Sequence, residues 1–180
     1  MNVVKTRLND CVIIEPKVFG DHRGFFLETF QAERYAEQAG ITLPFVQDNH
    51  SRSGRGVLRG LHFQINKPQG KLVRVVRGEV FDVAVDLRPE SSSFGQWEGV
   101  LLSEENQRQF WVPPGFAHGF VVTSDTADFE YKCTDYYDPT DEGAIAWNDK
   151  DLAIAWPEDL EMKLSAKDAA APTFKEYLNR

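Results

Sequence analysis

Lys71-Leu72-Val73-Arg74-Val75-Val76-Arg77-Gly78-Glu79-Val80-Phe81-Asp82-Val83-Ala84-Val85-Asp86-Leu87 is the stretch that decides the fold class. Phe81, Val83, Val85 and Leu87 alternate with Val80, Asp82, Ala84 and Asp86, the period of two of a strand with one strongly apolar face. Lys71–Arg77 is a second apolar-rich run, and Arg77-Gly78-Glu79 reads as the tight turn that joins the two as a hairpin. Working outward, short runs of the same kind recur at Cys11–Glu15, Phe25–Phe30, Val57–Gln64, Trp97–Leu102, Gln109–Val112, Gly119–Val122 and Asp128–Thr134. Turn chemistry separates them at Gly20-Asp21, Gly54–Gly56, Pro68-Gln69-Gly70, Ser91–Gly95 and Pro113-Pro114-Gly115. Many short strands at such spacing predict an all-β sandwich or barrel.

Helix is scarce. Gln31–Ala39 has good formers and ends at Gly40, and Ser165–Ala171 holds a turn or two before Pro172. No repeat or linker divides the chain, so residues 1–180 are expected to form one domain, a size that allows a real hydrophobic core.

Composition narrows the function classes. Hydrophobic residues make up 42% of the chain and aromatics 12%, which argues against disorder. No apolar run approaches the roughly 18 residues of a membrane span, and Met1–Arg7 has no apolar leader stretch. No membrane partner is expected. Cys11 and Cys133 are too few for a disulfide framework, so a reducing cytoplasm is the default location. The net charge of -8 argues against a nucleic-acid partner, because duplex binding needs a broad basic surface.

Within this acidic chain, Asn49–Gly78 carries Arg52, Arg55, Arg59, Lys67, Lys71, Arg74 and Arg77 with no Asp or Glu. A one-sign patch repels itself. Cations held along sheet edges point to a bound anion, with a phosphorylated small molecule as the first expectation. For any single Arg the plainer reading is an ion pair with a carboxylate elsewhere.

His62 lies inside this island, in Arg59-Gly60-Leu61-His62-Phe63-Gln64. Its ring can move protons near neutrality, and the surrounding cations favour the neutral, base-competent form. Strict alternation puts His62 with Gly60 and Gln64, opposite Arg59. If both His62 and Arg59 face one site, Gly60 must mark a bulge or kink. A second constellation, Pro113-Pro114-Gly115-Phe116-Ala117-His118, enters another strand. With His62-Phe63-Gln64 it resembles the two half-motifs of the cupins. Gln64 stands where metal cupins carry a second His, and an amide oxygen is a poor transition-metal ligand. His62, Glu79 and His118 remain a conceivable three-ligand set, but no bound metal is expected.

Longer segments sharpen the resemblance. Phe19–Glu28, Gln47-Asp48-Asn49-His50-Ser51, Gly56–Gln64, Gln69–Val73, Pro113–Phe120 and Tyr131–Tyr137 together resemble the dTDP-4-dehydrorhamnose 3,5-epimerases, in order from near Asp10 to Asp168. That resemblance implies a cupin-type jelly roll with a few short peripheral helices and no cofactor. It also implies a homodimer in which an N-terminal strand crosses to the partner. The implied activity inverts C3 and C5 of a dTDP-4-keto-6-deoxy sugar by enolisation next to the C4 ketone, on a route to surface polysaccharide.

The resemblance further implies a catalytic set: His62 as base, Asp168 orienting it, Lys71 at the carbonyl oxygen and Tyr131 as the acid. It assigns Arg23 and Arg59 to the diphosphate, where a guanidinium can fork onto phosphate oxygens. Phe19, Phe26, Glu28, Gln47 and Asn49 would surround the thymidine, and His118, Lys167 and Tyr137 the sugar. Arg23, Phe26 and Glu28 would reach the partner's site if strands are exchanged. Each residue has a bland alternative. Asp168 could be a surface acid, Lys71 an edge-strand gatekeeper, Tyr131 core in phase with Phe129 and Cys133, and Phe19 and Phe26 core beside Phe25 and Phe30. Rival functions are a single-centre epimerase or ketoisomerase on a dTDP-keto sugar, a metal-dependent cupin oxygenase, and a non-catalytic nucleotide-sugar-binding module.

Overall fold

The computed structural model describes residues 1–180. In chain order its elements are β1 (Asn2–Lys5), β2 (Val12–Glu15), β3 (Val18–Asp21), β4 (Gly24–Leu27), α1 (Ala32–Ala39), β5 (Gln47–Gly54), β6 (Leu58–Gln64), β7 (Lys71–Arg77) and β8 (Glu79–Asp86). After these come β9 (Trp97–Ser103), β10 (Gln109–Val112), β11 (Phe116–Val122), β12 (Thr126–Cys133), β13 (Glu142–Ala144), α2 (Ala166–Ala169) and α3 (Phe174–Leu178). Two antiparallel sheets form a sandwich of the jelly-roll kind. One has the order β1-β2-β10-β7-β12-β5 and the other β13-β6-β11-β8-β9. β3 and β4 stand apart as a two-stranded hairpin.

Each apolar stripe finds its own layer. Between the sheets pack Val73, Val75, Phe110, Val112 and Phe129 from one side and Val80, Ala84, Phe116, Phe120 and Val122 from the other. Phe120 and Phe129 stack here with ring centroids 4.2 Å apart. The outer face of the first sheet buries Ile14, Leu72 and Trp111 under Tyr35 of α1. That helix has Gln31 as its N-cap, accepting from Arg34 N–H, and ends at Gly40 in the left-handed region. The outer face of the second sheet buries Val83, Val85, Ala117 and Val121 under Leu152, Trp156 and Phe174 of the C-terminal segment.

One expectation is overturned. Arg77-Gly78-Glu79 does not close a hairpin, because β7 pairs with β10 and β12 while β8 pairs with β9 and β11. Gly78 is the corner where the chain leaves one sheet for the other. Its φ is 75°, and a Cβ there would lie 2.0 Å from Thr126 O. The less apolar face of β8 is therefore the inter-sheet face, and Asp82 and Asp86 on it are both fully buried.

The expected bulge is present. Opposite β11, His62 faces His118, but Phe120 faces Arg59, so β6 has one residue more than its partner over that interval. Gly60 occupies the irregular position with φ 134°, and its Cα side lies so close to β11 that a Cβ would meet Gly119 Cα at 2.6 Å and His118 O at 2.9 Å. The extra residue turns Arg59 and His62 to the same interior face. Gly60→Ala is expected to lower stability by about 2 kcal/mol or more, from backbone strain plus the contact with Gly119. Chemical denaturation of the variant against wild type measures this; an unchanged midpoint would mean that the bulge relaxes without cost.

Candidate active site

At one end of the sandwich the inner residues turn polar, the sheets separate, and a cavity of about 670 Å³ opens between them. That volume suits a small organic ligand. One wall comes from β5, β7 and β12, with Gln47, Asn49, Lys71 and Tyr131. The other comes from β6 and β11, with Arg59, His62 and His118, and the rim carries Tyr137, Glu142, Lys167 and Asp168.

β5 was not expected as a strand. Its sequence, Gln-Asp-Asn-His-Ser-Arg-Ser-Gly, has no apolar side chain. Its inner face can be polar because it lines the cavity. Its outward residues pair across the ladder: Asp48 opposite Lys132, His50 opposite Glu130, and Arg52 opposite Asp128. Arg52 binds Asp128 through Nε at 2.6 Å and a second nitrogen at 2.7 Å. That pair holds the Asp128 carboxyl down at about 2, the Arg52 bonds being the main cause.

His62 and Asp168 meet as the resemblance implied. Nε2 of His62 lies 2.6 Å from Oδ1 of Asp168, and the other carboxylate oxygen accepts the Gly60 N–H at 3.2 Å. Asp168 is 5% exposed, so it is no surface acid. Ser165 caps the short α2 that delivers it, accepting from Asp168 N–H. On the facing wall, Lys71 Nζ lies 5.7 Å from the centroid of the Tyr131 ring. The two residues sit on neighbouring strands, since Tyr131 is opposite Val73 and Cys133 opposite Lys71. Burial lowers the pKa of Lys71, opposed by Cys133, Asp82 and Glu142. Burial raises that of the Tyr131 phenol. Tyr131 thus borders the core and the cavity at once, and Lys71 lies inside rather than guarding an edge.

His118 is buried, with Nε2 at 2.9 Å from both carboxylate oxygens of Asp82. Glu142, which sequence reading missed, gathers the rim: Lys167 Nζ and Tyr137 Oη both donate to it, the latter at 3.2 Å. Burial would raise the Glu142 pKa, but Lys167 and His62 hold it below its ordinary value. Nothing local marks Glu142 in the sequence. Its place follows from β13 pairing with β6, which sets Glu142 opposite Gln64 and Ala144 opposite His62.

The basic island divides. Arg59, which donates to Ser53 Oγ, and Lys71 line the cavity. Arg52, Arg55 and Arg74 instead pair with Asp128, Asp159 and Glu130. The three-ligand metal set does not assemble: Glu79 lies outside the cavity and accepts from Thr123 Oγ1, while Gln64 is bound to Lys67 O, Tyr136 O and Asp138 N. Of the expected residues, Arg23, Glu28, Phe19 and Phe26 also lie outside the cavity. All four sit on or just beyond the β3–β4 hairpin, with Arg23 bound to Asp21 at 2.6 Å and Glu28 paired with Arg34. Phe19 and Phe26 are 54% and 70% exposed, so neither is core.

The family model for dTDP-4-dehydrorhamnose 3,5-epimerase matches residues 5–176. A relative of that name from Salmonella typhimurium is 58% identical, over 99% of this chain and 98% of its own length. The crystal structure of a dTDP-6-deoxy-D-glucose-3,5-epimerase from Legionella pneumophila, in complex with dTDP-4-keto-L-rhamnose, superposes with a TM-score of 0.93. Its identity is 61%, covering 96% of this chain and 92% of that one. ChmJ, a 3'-monoepimerase from Streptomyces bikiniensis in complex with dTDP-quinovose, gives a TM-score of 0.90 at 35% identity, covering 98% and 90%.

Both thiols should be silent in the native protein. Cys133, on the cavity wall's ladder, has its pKa pushed up to about 11 by burial against the opposing pull of Lys71, and burial raises Cys11 as well. Raised that far, Cys133 stays a thiol around neutrality, and the thiolate is the reactive form. A thiol reagent should therefore find no rapidly reacting group until denaturant is added, when both cysteines should titrate.

Proposed function

This chain belongs to the dTDP-4-dehydrorhamnose 3,5-epimerase family, and from that membership we infer how its cavity carries out the reaction. The protein is an epimerase of dTDP-rhamnose biosynthesis that inverts C3 and C5 of dTDP-4-dehydro-6-deoxy-D-glucose to give dTDP-4-dehydro-L-rhamnose. In our reading His62 is the base. Asp168, 2.6 Å from its Nε2, fixes the ring and stabilises the imidazolium formed when His62 takes the proton. Such a positioned base contributes roughly 10²–10⁴-fold. The electron pair released from C3–H or C5–H moves onto the C4 oxygen, where Lys71 meets the developing charge. One donor of that kind is worth about 10²–10³-fold. Tyr131 then delivers a proton to the opposite face of the carbon. The observation that carries this assignment is the placement of base and acid on facing sheets, His62 on β6 and Tyr131 on β12, with Lys71 beside the acid. Both centres flank one ketone, so a single set serves each in turn, and no cofactor is required.

Arg59 would hold the diphosphate, with Gln47 and Asn49 near the thymidine and His118, Lys167 and Tyr137 near the sugar. Arg23, Phe19, Phe26 and Glu28 would complete the nucleotide site of a second copy. Two features support this homodimer. The hairpin presents exposed aromatic rings, and β5 ends its sheet with one edge unpaired. The whole chain acts as one domain. A cytoplasmic setting agrees with two free cysteines, and no helix is long and apolar enough to cross a membrane.

Turnover in heavy water separates double from single inversion. Solvent deuterium is expected at both C3 and C5 of the product, by mass spectrometry; one label at completion favours single-centre chemistry like that of the 3'-monoepimerase, and none removes the enolisation reading. His62→Ala should abolish both labels while dTDP affinity stays near wild type. Tyr131→Phe keeps the ring's packing, so loss of deuterium from substrate labelled at C5 should persist while inverted product falls sharply. An unchanged yield of doubly inverted product would assign Tyr131 to the core.

Strand exchange is tested by mixing. Arg23→Ala and His62→Ala proteins, each impaired alone, should regain activity when co-refolded, because a mixed dimer holds one site with both residues intact. No regain would place Arg23 in its own chain's site or in none.

A further inference from the structure

Asp82 has no place in the mechanism so far. It is fully buried on the inner face of β8, and its one hydrogen-bonding partner is His118 Nε2, 2.9 Å from each carboxylate oxygen. A buried carboxylate is costly unless its charge is compensated. On the cavity side of this pair, His118 Nδ1 and Lys71 Nζ have no hydrogen-bond partner in the protein, yet neither is sealed from the cavity.

The groups around Lys71 come from five strands. The Tyr131 ring and the Cys133 thiol are on β12, Asp82 on β8 and Glu142 on β13, and His62 and His118 share the cavity from β6 and β11. The three that favour the charged ammonium are Cys133, Asp82 and Glu142. Cys133 is a neutral thiol at physiological pH, and Glu142 is already paired with Lys167. Asp82 is the negative charge near Lys71 that no other lysine or arginine takes up.

We propose that Asp82 is a positioning residue of the oxyanion side: its buried carboxylate orients His118 and supplies the charge that holds Lys71 as an ammonium inside the cavity. Desolvation works against that ammonium. An unprotonated Lys71 would meet a developing enolate with a weak, neutral donor. Activity that depends on protonated Lys71 is lost as pH rises through its pKa, so removing the Asp82 charge moves that loss to lower pH.

This inference rests on the enolisation reading, but its primary test does not use turnover. The intact protein is labelled with acetic anhydride across a pH series, and modification at Lys71 is followed by mass spectrometry. In Asp82→Asn the midpoint should fall by about one pH unit relative to wild type, the size expected of one nearby opposite charge. The alkaline limb of kcat should move with it, about tenfold per unit, while dTDP binding, which reports the folded nucleotide site, stays unchanged. Asp82→Glu, which keeps the charge, should restore the midpoint. A folded Asp82→Asn with unmoved labelling overturns the proposal, and so does a fall in kcat without a shift in either profile. If Asp82→Asn does not fold, Cys133→Ala and Glu142→Gln carry the test by elimination. Midpoints unmoved in both leave Asp82 as the source of the charge, whereas a full-unit shift in either overturns it. Absence of deuterium incorporation by wild type would sink the enolisation reading separately and leave the lysine titration to be judged on its own.

Discussion

Asp168 accepts two hydrogen bonds that together tie the site to the fold. Oδ1 meets His62 Nε2 at 2.6 Å and Oδ2 takes the Gly60 N–H at 3.2 Å, across more than a hundred residues of chain. The amide is the irregular one at the β6 bulge, and the imidazole is the group that the bulge turns inward. A single carboxylate therefore satisfies the bulge and orients the base. Everything that places Asp168 is recruited to this purpose. Ser165 caps α2, Val57 bridges to Lys163, Leu58 N–H donates to Lys163 O, and Leu61 exchanges backbone hydrogen bonds with Ile145. The C-terminal segment that looks like loose covering in sequence is thus the far wall of the cavity.

Polar inner faces come at the expense of core. Where Val73, Val75 and Phe129 pack against Phe116, Phe120 and Val122, the sheets share a dry interior. Two residues from Val73 and Phe129 stand Lys71 and Tyr131, and His118, between Phe116 and Phe120, faces His62 of β6; there the interior becomes a cavity. The transition is gradual. Phe129 stacks on Phe120 at 4.2 Å and lies 6.2 Å from His118 at a shallow angle, and its ring is also tilted against Tyr131. Catalytic side chains rooted on strands whose other ends are tightly packed have little freedom to drift, and positional accuracy of that kind is what proton transfer requires.

How much of this was legible in the sequence depends on which physical signal each part carries. Strands with an apolar face, such as β8 and β10, announce themselves by period. So does the bulge at Gly60, because two chemically necessary residues, Arg59 and His62, had the wrong parity to share a face. Period says nothing about which sheet a strand joins. The run Arg77-Gly78-Glu79 has hairpin chemistry yet turns a corner between sheets, since Gly78 serves either geometry. β5 was invisible for a different reason: its inner residues answer to a ligand cavity and its outer residues to ion pairs, so hydrophobicity never enters. Asp168 was found only through the family resemblance. A carboxylate brought to a histidine by tertiary packing leaves no local pattern, and Glu142 and Asp82 escaped for the same reason.

The charge distribution of the cavity explains why an acidic protein concentrates its cations in one segment. Of the seven between Asn49 and Gly78, Arg52, Arg55 and Arg74 pair with carboxylates, whereas Arg59 and Lys71 face the interior. Inside, three groups are matched by their own carboxylates: His62 by Asp168, His118 by Asp82, and Lys167 by Glu142. Arg59 and Lys71 have no carboxylate in contact: Arg59 donates to Ser53 Oγ, and Lys71 lies against the Tyr131 ring. An unmatched cation is suited to a charge that exists only transiently, because a permanent partner would compete with the enolate for it. A carboxylate in direct contact with Lys71 would hold the ammonium more firmly and weaken it as an oxyanion donor. Asp82, behind His118 and out of hydrogen-bonding contact with Lys71, favours the ammonium while leaving its donors free.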